Sequence, residues 1–289
     1  MMNLPPQADS AFPSARDEAR VANAPTSSPQ TEDPAYRLAF QDNDFLLREE
    51  LRPVRFQLEL LKPDLLLQEA GIKSTFVFYG SARIPAPDQV AALRASADTP
   101  ERLAVVENLA RNARYYEEAR KLAYMASSQP CADGSRELTV CSGGGPSIME
   151  AANRGAHEAG ALTIGLNIVL EHEQLPNSYV TPGLSFQFHY FALRKMHFLM
   201  RAKAVAVFPG GFGTFDELFE LLTLVQTTKM APIPILLFGR AFWEKVVNFQ
   251  ALADEGVISP EDLGLFRFVE TADEAWAIVC AATTEQAAA

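Results

Sequence analysis

The chain reads as an α/β protein built on one Rossmann-like, doubly wound and mainly parallel sheet with helices on both faces. Three observations predict it. Apolar runs of strand length alternate with helical patterns along most of the 289 residues. The strand runs are continuously apolar, as in a sheet covered on both faces. Three of them end in glycine-rich turns, at Gly80, at Gly143-Gly144-Gly145 and at Gly210-Gly211-Phe212-Gly213. Parallel strands put all three turns on one rim, near the topological switch point where such sheets bind ligands.

The elements follow in order. Residues 1–35 carry six prolines among Ala, Ser and Gln, which predicts a disordered tail. The Rossmann-like domain is expected over 36–282, opening with helices broken at Pro53 and Pro63, and 283–289 is a second tail. Thr75-Phe76-Val77-Phe78-Tyr79 is the first strand, followed by a short helix in 85–100 and one long helix over about 100–127. Leu138-Thr139-Val140-Cys141 is the second strand, with a helix over 147–159 that stops at Gly160. Leu162–Leu166 is the third, followed by a loop and a short strand at 178–181. A helix over 186–201 precedes the fourth strand at 204–208, and a helix over 214–229 leads to a fifth at 233–238. Pro234 inside that run hints at an edge position or an irregular ladder. Helices over 241–253 and 272–282, with a strand at 266–269 between them, complete the pattern.

Composition narrows the function. The net charge of −11 argues against a nucleic-acid polymer as partner but not against a mononucleotide, which needs only one local anion site. No apolar run approaches the ~18 residues of a membrane span, and no signal-peptide core opens the chain, so a cytoplasmic protein is expected. Cys131, Cys141 and Cys280 lack CxxC spacing and read as reduced thiols. His157, His172, His189 and His197 show no ligand spacing, so no metal is expected.

The most telling stretch is Pro209-Gly210-Gly211-Phe212-Gly213-Thr214-Phe215-Asp216-Glu217, entered from the apolar run 204–208. A strand, a glycine turn and a helix start leave backbone N–H groups free for an anion, most often a phosphate. Glu217 is expected in the first helical turn, beside that anion site. Thr214-x-x-Glu217 also matches a capping box, as does Ser147-x-x-Glu150, so spacing alone leaves a cap and a functional acid both open. Ser142-Gly143-Gly144-Gly145-Pro146 is a second strand–glycine–helix joint, without the last glycine or the downstream acid of a dinucleotide fingerprint. A mononucleotide or sugar phosphate fits it better. Arg194-Lys195 is a cationic pair in an apolar, aromatic helix, either partnered or snorkelling to the surface.

Arg194-Lys195 followed by the 209–217 motif resembles the LOG ("Lonely guy") family, long labelled possible lysine decarboxylases. The resemblance spans roughly 74–250 and takes in Phe78-Tyr79-Gly80-Ser81-Ala82-Arg83 and Ser142–Pro146. With its N-terminal extension and long 84–137 stretch, the chain looks like the longer bacterial subgroup. The resemblance implies hydrolysis of the N-glycosidic bond of AMP or an N6-substituted AMP, such as a cytokinin ribotide, to free base and ribose 5-phosphate, with no cofactor. It implies Arg194 and Glu217 as the catalytic pair and Gly210, Gly211, Phe212, Gly213 and Thr214 as the phosphate turn. Further substrate contacts would be Ser81, Gly143, Gly144, Gly145, Glu173, Lys195 and Thr223. A homodimer or larger homo-oligomer is implied as well. The alternative is a non-catalytic nucleotide- or cofactor-binding protein of the same superfamily, which would not need both Arg194 and Glu217. No lysine context supports decarboxylation.

Overall fold

A computed structural model of the chain describes residues 12–22, 27–129, 136–171 and 175–288. The chain divides into two compact units, Met1–Leu58 and Glu59–Ala289. In the first lie the short helices α1 (Ala15–Ala22), α2 (Pro29–Glu32) and α3 (Asn43–Leu46), none with a buried residue. So the described part of the stretch expected to be a disordered tail holds helix, and Ser28 caps α2 by accepting from the Thr31 N–H. Helix α4 (Arg52–Glu69) runs through Pro63 without the break expected there.

The second unit is an α/β layer structure. Its strands are β1 (Thr75–Tyr79), β2 (Thr139–Ser142), β3 (Thr163–Ile168), β4 (Ser185–Phe188), β5 (Ala202–Val207), β6 (Ile235–Phe238) and β7 (Arg267–Val269). They form one sheet in the order β4-β3-β2-β1-β5-β6-β7, and every pairing is parallel. Every residue of β1, β2 and β6 is buried. Successive side chains point to opposite faces, so full burial requires cover on both. On one face Phe76, Phe78, Val140, Ala204, Phe208 and Leu236 join a core with α7 (Arg114–Ser127), α8 (Ile148–Glu158) and α13 (Ala272–Ala288). On the other, Tyr79 meets Phe198 edge-on at 5.1 Å. Phe198 lies on α9 (Phe191–Met200).

Several elements differ from the sequence reading, for local reasons. The expected helix over 100–127 is two, α6 (Pro100–Asn112) and α7, joined at Ala113; α5 (Val90–Ala95) precedes them. Residues 178–181 are not a strand. The strand is β4, taken from the start of the expected 186–201 helix. There Phe186 and Phe188 are buried while Gln187 between them is exposed, a period of two and not of 3.6. Pro234 precedes β6, and its carbonyl accepts from the Val205 N–H. The strand is therefore internal, between β5 and β7, and not an edge. The last expected helix before β7 breaks into α11 (Arg240–Val246) and α12 (Phe249–Asp254), the latter capped by Asn248.

Chain order reverses at β1, which pairs with β2 on one side and β5 on the other. This is the switch point. The ends of the two central strands are tied there, Ser81 donating its N–H to the Pro209 carbonyl at 3.1 Å. Among the described residues, no helix is long and apolar enough to cross a membrane.

Candidate functional site

Helix α10 (Phe212–Gln226) begins directly after β5 and Pro209-Gly210-Gly211. Its N-cap is Gly211, and no side chain caps it. Gly211, Phe212 and Gly213 are exposed, Phe212 almost completely. The first turn of α10 thus offers backbone N–H groups and the positive end of the helix dipole to solvent. Neither capping box forms. Thr214 lies inside the helix and is buried, packed so closely on Gly210 that a methyl group there would overlap it. Ser147 instead donates to the Ile84 carbonyl, and Glu150 accepts from the Tyr116 hydroxyl at 2.9 Å.

Because α10 starts at Phe212, Glu217 falls in its second turn and points back to the rim, where Arg194 of α9 meets it at 3.7 Å. Both side chains are largely buried, 12% and 13% exposed. Arg194 is seated by Nε donating to the Leu166 carbonyl at 2.7 Å, and its guanidinium lies over the Phe198 ring at 5.1 Å. Burial pushes the Glu217 carboxyl up to about 7 against the opposing pull of Arg194; Asp216 and Glu220 add to the rise, and Lys195 opposes it. Burial and the Glu217 charge also keep the Tyr79 hydroxyl protonated, and burial keeps the Cys141 thiol so. A carboxyl that titrates near neutrality beside a fixed cation, at the rim of a doubly wound sheet, is suited to moving a proton or holding charge.

The 143–145 turn is a different object. All three glycines are buried. A methyl group on Gly143 would lie 2.6 Å from the Arg194 guanidinium and 2.7 Å from the Met149 sulfur. Gly144 has φ +73° and donates its N–H to Ser142 Oγ at 3.1 Å. Asn177 closes the turn from outside: its backbone N–H reaches the Gly144 carbonyl at 2.8 Å, and Nδ2 reaches the Gly144 and Gly145 carbonyls and Asn153 Oδ1. Ser142 in turn donates to Asn153 Oδ1 at 2.7 Å, and Asn153 to Thr163 Oγ1 at 2.7 Å. Sequence reasoning missed this Ser142–Asn153–Asn177 network, since isolated asparagines carry no spacing signal.

Other expected site residues sit as follows. Ser81 is at the end of β1, its hydroxyl accepting from the Arg83 N–H at 3.0 Å. Lys195 is partnered and not snorkelling, with Nζ 2.9 Å from Asp216 and 3.2 Å from Glu220. Burial alone would lower its pKa, but the hydrogen bonds to those two acids outweigh it and raise it. Thr223 is exposed, donates to the Phe219 carbonyl at 2.7 Å, and continues the Asp216–Glu220 stripe of α10 without reaching Glu217. Glu173 lies outside the described residues, as do His172 and Cys131. His197 is buried between α9 and α4, within 3.2 Å of the Glu59 carbonyl, and His157 meets the Tyr179 ring. Among the described residues, no group of three or more His, Cys, Asp or Glu is placed to hold a metal ion.

Residues 149–279 match the model of the family described as "Possible lysine decarboxylase". The match covers a little under half of the chain. This family is the one, under its older description, that the Arg194-Lys195 and 209–217 motifs resemble. The family segment holds α9, α10 and the whole Arg194–Glu217 pair. No curated protein matches the chain. Among solved structures, the chain is similar to the Moco carrier protein from Chlamydomonas reinhardtii, with 18% identity and a TM-score of 0.42 over 73% of this chain and 99% of that one. It is also similar to the molybdenum cofactor binding protein from the phototrophic bacterium Rippkaea orientalis, with 15% identity and a TM-score of 0.42 over 75% and 98%.

Proposed function

We propose that this protein hydrolyses the N-glycosidic bond of a nucleoside 5′-monophosphate, AMP or an N6-substituted AMP, to free base and ribose 5-phosphate. The observation that carries the reading is the Arg194–Glu217 pair, 3.7 Å apart and largely buried, next to the uncapped start of α10. The 5′-phosphate takes the free N–H groups of the Gly211–Thr214 turn, as anions do at helix N-termini. Cleavage passes through an oxocarbenium-like state whose positive charge grows at the sugar. Ionised Glu217 faces that charge and orients the attacking water. The charge differs most between ground and transition states, so the interaction speeds the chemical step more than it tightens binding. Arg194, fixed on the Leu166 carbonyl, holds the substrate's negative groups against the rim. The exposed apolar residues of α9 (Phe191, Met196 and Met200) are the place to seek the expected homodimer contact, which light scattering reads.

The test is product analysis with AMP, isopentenyl-AMP, GMP and CMP. Free base and ribose 5-phosphate in equal amounts are expected, with Glu217→Ala still binding nucleotide but losing turnover by about 10³-fold. Nucleotide binding without turnover across the panel would move the protein to the non-catalytic alternative, and wild-type rates in Glu217→Ala would remove Glu217 from the chemistry.

A further inference from the structure

The loop after β1 and helix α5, together with α7 and the start of α8, bound a cavity of about 420 Å³. That size lies toward the lower end of small-molecule sites, which run to ~300–1,000 Å³. Ile84, Pro85, Ala92, Leu93 and Pro146 give it apolar walls. Ser147 ties two sides together by donating to the Ile84 carbonyl. Ile84 and Tyr116 belong to the core on the α7–α8 face of the sheet, whereas α9 covers the other face. Neither Arg194, nor Glu217, nor the 210–214 turn lines this cavity.

Two opposite charges, Arg83 and Glu150, line it without pairing to each other. Among the described residues, neither has an ion-pair partner. Glu150 accepts from the Tyr116 hydroxyl at 2.9 Å through one of its oxygens. Burial above all pushes that hydroxyl up to about 12, with Arg154 opposing and Glu150 adding to the rise. It therefore stays a donor at neutral pH and leaves the second carboxylate oxygen free. The cation one turn further along α8, Arg154, is paired with Glu158 at 3.0 Å. Arg83 is exposed, and its guanidinium is free to swing over the opening. A phosphate monoester would suit Arg83 but set like charge against Glu150, and a simple amine would do the reverse. A ligand that carries both charges on one small head, with an apolar remainder, matches both groups and the walls.

We propose that this cavity is a second ligand site, taking a free α-amino acid with an apolar side chain. Arg83 pairs with its carboxylate, Glu150 accepts from its ammonium, and its side chain lies against Ile84, Pro85 and Leu93. The proposal does not depend on the reaction assigned to the Arg194–Glu217 pair.

Calorimetric titration of the full chain with leucine and its two truncated analogues tests this. Isopentylamine lacks the carboxylate, and isocaproate lacks the ammonium. Leucine is expected to bind, and each analogue to bind roughly 10-fold or more weakly, because it leaves one charge unpaired. The variants should remove these preferences one at a time. In Arg83→Met, leucine and isopentylamine bind alike. In Glu150→Gln, which keeps an oxygen for Tyr116, leucine and isocaproate bind alike. The proposal fails if leucine and phenylalanine at about 10 mM give neither heat nor a rise in Tm. It fails equally if leucine binds wild type and both variants with one affinity. Competitive displacement of leucine by AMP would also overturn it, by making the cavity an arm of the nucleotide site. The titration needs no turnover, so a protein that binds leucine but cleaves no nucleotide counts against the proposed reaction alone.

Discussion

After β2, the glycine turn at 143–145 is closed by protein: its three glycines are buried, the Gly144 N–H is spent on Ser142, and its carbonyls are taken by Asn177. After β5, the turn is open at 211–213: beyond their chain neighbours and the helix's own backbone, Gly211 and Gly213 have nothing within 4 Å of where a side chain would start, and no side chain caps the helix that follows. Both are strand–glycine–helix joints on one rim, and both look like phosphate cradles in the sequence. Their surroundings separate them. In the first turn, glycine makes room for a neighbour, the Arg194 guanidinium. In the second, it leaves helix N–H groups free for something from solution. A glycine-rich turn therefore says only that side chains are unwelcome. What takes their place decides whether the turn is architecture or a binding surface.

Paired glycine variants probe this contrast most strongly. Gly143→Ala drives a methyl group into Arg194 and Met149, so kcat is expected to fall by about 10²-fold with a folded protein by circular dichroism. Gly211→Ala meets nothing beyond its chain neighbours, so it is expected to spare kcat and raise KM, with a stability loss of about 1 kcal/mol from the poorer N-cap. Equal kinetic signatures for the two would break the distinction. The pH profile sharpens it at the Arg194–Glu217 pair. With Glu217 titrating at about 7 and acting ionised, kcat/KM should rise roughly 10-fold per pH unit below 7 and level off above it. A limb that stays near 4.5 would mean that burial does not govern this carboxyl.

The smallest effect is on stability. Folding raises the Glu217 pKa from its ordinary 4.5 to about 7, so the folded state holds this proton more tightly than the unfolded one. The ionised form is then a cost that is absent below about pH 4.5, grows between the two values and is complete above 7. Glu217→Gln removes it, keeps an oxygen for Arg194, and is expected to stabilise the protein by about 2–3 kcal/mol at pH 8, roughly 5 °C in Tm. The gain should shrink toward pH 5. A constant gain across that range would locate the effect in packing and not in charge.

Much of this frame is legible in the sequence. The buried strands announced themselves because a parallel strand covered on both faces must be apolar at every position, as β1 and β6 are. The Arg194–Glu217 pair was legible through a motif with specific spacing, and the structure brings the two side chains together. What failed depended on partners distant in sequence. Phe186 and Phe188 fit a helix as well as a strand until β3 is beside them. The burial of 143–145 depends on Asn177, more than thirty residues away. Thr214-x-x-Glu217 looked like a cap because local spacing does not reveal that the helix starts two residues earlier, at Phe212.

The seat of Arg194 has a consequence for how such a protein changes over generations. Its position is set by a main-chain carbonyl at Leu166, a missing side chain at Gly143 and an aromatic face at Phe198. A backbone carbonyl is present whatever residue occupies position 166, so one of the three supports cannot be lost by substitution while the strand keeps its course. Only the other two supports, at Gly143 and Phe198, can be removed by a single substitution. Phe212, almost fully exposed, is not among those three supports, so a change of side chain there leaves the seat of the reactive arginine intact.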